Sequence, residues 1–148
     1  MQAFYDARNF DPHDGLGYLV TRIRRRILDM IEPEVAGLGL TIVQAIVILG
    51  VSTRSGATAA DFCRNLQYDP GAMTRVIDRL EKLGYLKRVR HARDRRSQRL
   101  ELTEAGRKIL LPVRSALVSA LNDMLRGFTR AEAQQLIGFL KRLAGDSR

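Results

Sequence analysis

The chain has 148 residues, 45% apolar and 28% charged, which is the mix of a folded soluble protein and not of a disordered one. No apolar run approaches the ~18 residues of a membrane span, and Asp6, Arg8, Asp11 and Asp14 interrupt any secretory leader, so a cytosolic, single-domain protein is expected. Its 25 Lys plus Arg exceed its 16 Asp plus Glu by a formal +9, which points to a polyanionic partner.

The first helix is expected to open at Asp11-Pro12, with Pro at the first helical position, where its missing N–H costs nothing. Leu16, Leu19, Val20, Ile23, Ile27, Met30 and Ile31 recur at helical spacing and mark an amphipathic stripe of about six turns. Pro33 is expected to bend or end it, and Gly37 and Gly39 break the chain. Thr41 with Gln44 three residues on is a capping box. It opens a helix to Leu49 that is apolar on nearly every side and belongs in the core. After a loop at Arg54-Ser55-Gly56, Thr58 and Asp61 cap a short helix to about Gln67, with Ala59, Phe62, Cys63 and Leu66 on one face.

Asp69-Pro70 repeats the N-cap and proline device. The helix it starts runs to Leu83 and stops at Gly84. Met73, Val76, Ile77 and Leu80 face inward there, while Thr74, Arg75, Asp78 and Arg79 face outward. The period then changes to two. Tyr85 to Arg90 and Gln98 to Leu102 read as a hairpin, with Leu100 and Leu102 on one face, Arg99 and Glu101 on the other, and a basic connection from His91 to Ser97. Thr103 caps a long helix through Ile109, Leu110, Val113, Leu117, Leu121 and Leu125, with Pro112 as an irregularity and Gly127 at its end. Thr129 and Glu132 cap a last helix carrying Leu136, Ile137, Leu140 and Leu143.

Chemistry-bearing motifs are scarce. A lone Cys63 forms neither an internal disulfide nor a structural zinc site, and the two histidines, His13 and His91, lie far apart. Phosphate-binding loops, dinucleotide fingerprints and nucleophile elbows do not occur. No metal, no cofactor and no enzyme activity are therefore expected. The charge is concentrated instead. Residues 71–99 hold ten basic side chains (Arg75, Arg79, Lys82, Lys87, Arg88, Arg90, Arg93, Arg95, Arg96 and Arg99) against Asp78, Glu81 and Asp94. The remaining 119 residues hold 15 basic and 13 acidic side chains, close to neutral. A second cluster, Arg22, Arg24, Arg25 and Arg26, sits near Asp29 and Glu32 and reads as a solvated or dimer-rim face.

Two short helices, a tight turn and a basic hairpin form a winged helix-turn-helix. The second helix of such a pair enters the major groove with its N-terminal residues toward base edges, and its unpaired N–H groups offer a phosphate site. The hairpin tip reaches an adjacent minor groove, whose negative potential favours Arg where it narrows. The fold expected is mainly α with a small β-hairpin: a DNA-binding lobe over residues 38–103, and dimerisation helices over 1–37 and 104–148, all within one domain.

The stretches Leu38-Gly39-Leu40-Thr41, Pro70 to Leu86, Asp94-Arg95-Arg96-Ser97 and Leu102-Thr103-Glu104-Ala105-Gly106 resemble MarR-family transcriptional regulators, over about residues 12 to 145. That resemblance implies a homodimer on a pseudo-palindromic double-stranded operator, usually a repressor, released by a small aromatic or phenolic acid. It matches Ala72, Thr74 and Arg75 to base-reading positions. Arg75 then reads a guanine edge or holds a phosphate. Arg79 holds a phosphate or pairs with Asp78 or another nearby acid. The wing motif falls on Asp94 and Arg96: Asp94 orients a neighbouring arginine and Arg96 enters the minor groove, or the two form an ion pair that only shapes the turn. Arg93 and Arg95 are backbone neutralisers.

For the ligand pocket the resemblance implies Ala45 and Leu49, whose plainer reading is core, and His13 at the start of the first helix. Arg24 is an anchor for a ligand carboxylate. The family's peroxide sensors carry cysteine on the first helix, and this chain has none there; Cys63 is expected to be buried and inert, with an oxidation switch as the alternative. The competing function is an architectural nucleic-acid-binding protein without a small-molecule switch.

Overall fold

The computed structural model describes residues 3–54, 56–90 and 98–145. Among them, six α-helices and a two-stranded antiparallel hairpin follow in the order α1 (Leu16–Ala36), α2 (Ile42–Thr53), α3 (Ala59–Leu66), α4 (Pro70–Lys82), β1 (Leu86–Arg90), β2 (Gln98–Leu102), α5 (Glu104–Met124) and α6 (Arg130–Leu143). None of the helices is long and apolar enough to cross a membrane.

The expected caps form. Thr41 with Gln44, Thr58 with Asp61 and Thr129 with Glu132 each make a reciprocal pair that satisfies orphan N–H groups at α2, α3 and α6. The Thr103 hydroxyl accepts from the Gly106 N–H at α5.

The start of α1 differs from the sequence expectation. Pro12–Asp14 forms only a 3-10 turn, and α1 begins at Leu16 after Gly15. The Leu16 N–H donates to the Tyr5 hydroxyl at 3.0 Å, a cap supplied from eleven residues away. Pro33 does not end α1, which runs on to Ala36. The carbonyl that loses its partner to Pro33 belongs to exposed Asp29, so the lost bond falls on the solvent side of the helix, while Val35 just beyond is fully buried and holds the last turn in place. Pro112 lies inside α5 in the same way, opposite exposed Lys108. Helix α2 extends past Leu49 to Thr53.

The core gathers around α2. Val47 and Ile48 are fully buried with Met73, Ile77 and Leu80 of α4, Val35 of α1 and Val113 of α5. Each such side chain contributes ~1.5–3 kcal/mol by leaving water. Helix α1 lies along α5, and α2 packs on both and on α4. The hairpin pairs Leu86 with Leu102, Arg88 with Leu100 and Arg90 with Gln98. A short third edge joins it: Thr58 bridges Arg99, and the Leu100 N–H donates to the Ala57 carbonyl at 2.8 Å. Helix α6 buries none of its residues against its own chain.

Candidate nucleic-acid interface

Helix α4 is the groove-sized element. Its inner face, Met73, Ile77 and Leu80, is fixed in the core, and this sets the outward direction of Thr74, Arg75 and Arg79, all exposed. Ala72 is half-buried at the rim of that face. The Thr74 hydroxyl donates to the Pro70 carbonyl at 2.9 Å, which leaves only its lone pairs for an outside group. The Arg75 guanidinium folds back toward the first turn: its Nη1 lies 3.9 Å from where a Cβ on Gly71 would stand.

The N-terminus of α4 is poorer in free donors than expected. Asp69 accepts from the Ala72 N–H at 2.7 Å and places a carboxylate there, and Pro70 has no N–H. A phosphate at this end would meet negative charge, so the positive charge that α4 offers to solvent is carried by its arginines and not by the helix end.

The charge reading needs a second correction. Of the seven cations of segment 71–99 that lie among the described residues, three are held by acids. Arg88 Nη2 lies 2.7 Å from Asp78 Oδ1, and Arg88 Nη1 also binds Glu81. Glu101 holds Arg99 at 2.8 Å and Lys87 at 3.4 Å. Asp78 is thus committed to Arg88, and Arg79 makes no ion pair among the described residues. Arg75, Arg79, Lys82 and Arg90 are exposed and without an acidic partner among those residues. The wing candidates Arg93, Asp94, Arg95 and Arg96 lie outside the described residues, as does Ser55 of the predicted loop.

Arg88 is the structural residue that charge counting missed. The Glu81 carboxylate accepts from its backbone N–H at 2.9 Å and from its guanidinium. Period-two alternation places Arg88 on the same side as buried Leu86 and opposite buried Leu100, and that was the available sign that it faces the helix and not solvent. The wing is anchored at its other end too. The Thr103 N–H donates to the Tyr85 carbonyl at 3.1 Å, and the Thr103 hydroxyl donates to Gly84 at 2.5 Å. Recognition helix, hairpin and the start of α5 are therefore one connected unit.

The predicted ligand residues come from three elements: the 3-10 turn, α1 and α2. Ala45 is 1% exposed inside the core, and Leu49 packs half-buried one turn on. His13 sits in the 3-10 turn with Nδ1 3.2 Å from Asp11 and its ring against Tyr18. Arg24 is exposed on α1, whose neighbouring Arg25 pairs loosely with Asp29 at 3.9 Å. Cys63 is half-buried, not sealed in the core.

Comparison with known proteins places this geometry. Residues 38–97 match the sequence model of the MarR family. The HTH-type transcriptional repressor Rv2887 of Mycobacterium tuberculosis is 25% identical over 131 residues, covering 88% of this chain and 94% of the relative. A crystal structure of MarR shares 25% identity and a TM-score of 0.82, covering 93% of this chain and 94% of that one. The crystal structure of Rv2887 in complex with salicylic acid gives 25% identity and a TM-score of 0.75, covering 87% and 96%.

Proposed function

We infer that the chain is a MarR-family DNA-binding transcriptional repressor, a homodimer released from a pseudo-palindromic operator by a small aromatic or phenolic acid. The observation that carries the reading is α4: a helix whose inner face is locked in the core, whose outer face shows Thr74, Arg75 and Arg79, and whose orientation to the wing is held by Arg88.

In this reading Ala72, Thr74 and Arg75 meet base edges, while Arg79 and the wing residues Arg93 and Arg95 meet phosphates. Asp94 orients a neighbouring arginine and Arg96 enters the minor groove. Residues 38–103 form the DNA-binding lobe, and 1–37 with 104–148 the dimerisation helices of a single domain. The chain works in the cytoplasm without enzyme activity. Dimerisation is supported by apolar side chains that the single chain leaves open: Leu19 and Ile23 of α1, and Ile137 and Leu140 of α6. Pairing these faces would set two recognition helices about one DNA turn apart. The ligand class is supported by the salicylic acid bound to the relative Rv2887. His13, Arg24, Ala45 and Leu49 remain its proposed pocket, closed by the partner subunit.

The test is selection of duplexes from a random library, followed by competition at fixed salt. A specific operator should outcompete random duplex by ~10³ or more. Equal competition by random DNA or RNA would replace this reading with the architectural one.

A further inference from the structure

Among the described residues every positive φ but one belongs to glycine; the exception is Gln67, at φ 49° and ψ 46°. It stands in the turn between α3 and α4, Gln67-Tyr68-Asp69. The turn is tied on both sides. The Gln67 N–H reaches back to the α3 carbonyls of Cys63 and Arg64, the Tyr68 N–H donates to the Cys63 carbonyl at 3.0 Å, and half-buried Tyr68 packs against the core. Asp69 then caps α4 by accepting from the Ala72 N–H at 2.7 Å. These bonds force the left-handed conformation on position 67. Glycine adopts it freely, whereas an L side chain has its Cβ crowded against a carbonyl oxygen. The fold takes nothing back from this side chain. Gln67 is exposed, and the side-chain hydrogen bonds of the stretch go to Asp61 and Asp69, with none to Gln67 among the described residues. Strain without an internal return marks a side chain that acts outside its own chain.

We propose that Gln67 is a specificity-determining residue whose amide reads a base edge of duplex DNA, an adenine in the major groove. This rests on the reading of α4 as the recognition helix, whose N-terminal end enters the groove while the first helix of the pair crosses the backbone. Gln67 joins those two elements, as the C-cap of α3 and two residues before the N-cap of α4. A carboxamide presents a donor and an acceptor side by side, and adenine offers the matching acceptor N7 and donor N6–H₂. A phosphate would use only the donor half, and the Asp69 carboxylate keeps negative charge at this corner. The contact is uncharged, so unlike those of Arg75 and Arg79 it adds nothing to the salt dependence of binding.

The test is duplex selection from a random library by the full chain, as wild type and with Gln67→Gly or Gln67→Ala. Glycine removes both the amide and the strain; alanine removes the amide alone. Wild type should favour adenine at one base pair of each half-site, distinct from the position that Arg75→Ala relaxes. Both variants should lose about tenfold discrimination at that pair only, with the salt slope unchanged, and Gln67→Gly should melt no lower than wild type. A lower melting temperature with glycine would return the side chain to the fold. Loss with glycine but not with alanine would make the effect one of turn shape, and uniform loss across sequences would make Gln67 a phosphate contact. Each of these overturns the proposal. A wild type that enriches an operator which both variants select equally well also overturns it, and leaves the regulator reading standing. A wild type that enriches no duplex removes both.

Discussion

Glu81 grips Arg88 twice, through its backbone N–H at 2.9 Å and through its guanidinium, so one carboxylate sets both the path of β1 and the direction of its side chain. Asp78, one turn earlier on α4, takes the other guanidinium nitrogen at 2.7 Å. The recognition helix and the wing are thereby fixed in one frame, and a rigid frame is what lets two elements meet two grooves at once.

Arg88→Ala should therefore cost more than a surface ion pair. The Arg88 side chain is 26% exposed and Glu81 29%, so part of the interaction is shielded from water. A loss of about 1–2 kcal/mol in urea denaturation is expected, with weaker binding to any selected duplex. Stability equal to wild type would show that the three-residue cluster is ornamental.

Arg75 and Arg79 should separate by readout. Both are exposed on α4, but Arg75 lies near the helix start, where base edges are met, and Arg79 lies one turn on. Arg79→Ala should weaken all duplexes alike and reduce the slope of log affinity against log salt by ~0.9. Arg75→Ala should instead relax preference at one operator position, worth ~1–3 kcal/mol of discrimination. If Arg75→Ala changes only the salt slope, it is a phosphate contact.

A backbone crossing provides a stability test. A Cβ on Gly106 would stand 2.0 Å from the Tyr85 carbonyl oxygen, at the place where the start of α5 is pinned to the α4–β1 turn. That oxygen accepts from the Thr103 N–H and cannot withdraw without breaking the junction. At Gly50 the added Cβ would meet only the Phe62 ring, at 2.5 Å, and a ring can turn. Gly106→Ala should cost about 3 kcal/mol or more and Gly50→Ala about 1–2 kcal/mol. Reversal of that order in thermal denaturation would show that the α5 junction is the softer of the two.

Acid should loosen α3 first at its cap. The Thr58 hydroxyl donates to Asp61 Oδ2 at 2.7 Å and the Thr58 N–H at 2.9 Å. These bonds, with Arg64 and Arg54 nearby and burial opposing, hold the Asp61 carboxyl below its ordinary 3.8. A lowered folded value means the cap stabilises fully above pH 3.8 and is lost as pH falls through the folded value. Asp61→Asn should lower stability in the neutral range and flatten the profile below about pH 4, so that the two chains converge in acid. An unaltered acid limb in the variant would assign acid unfolding to other groups.

What could be read from residues alone follows the range of the forces involved. Caps are local: Thr41 with Gln44 or Thr58 with Asp61 span three residues, and they form where the pattern predicts. The start of α1 is not legible in the local pattern because its N–H partner, the Tyr5 hydroxyl, is eleven residues away. Pro33 does not end α1, since its lost bond falls on a solvated turn, and Pro112 stays the internal irregularity of α5 that its position implies. The basic face was legible as composition. Its subdivision was not, since the pairing of Arg88 and Arg99 depends on hairpin register.

Subunit pairing can be broken without disturbing the lobe. Leu140 and Ile137 lie on one stripe of α6, 41% and 45% exposed, and α6 buries no residue within its own chain. A helix so amphipathic is marginal alone in water unless another apolar face covers it. Val118 and Leu121 of α5 and Leu19 and Ile23 of α1 present further open apolar surface. Leu140→Glu puts a charge into the middle of the stripe, where its burial without a partner costs several kcal/mol. The variant should sediment as a monomer at micromolar concentration, retain the helical circular dichroism of the lobe, and lose most duplex affinity, because one half-site cannot hold what two do. Its melting temperature should no longer rise with protein concentration. A variant that stays dimeric and binds duplex as before would move the interface away from α6.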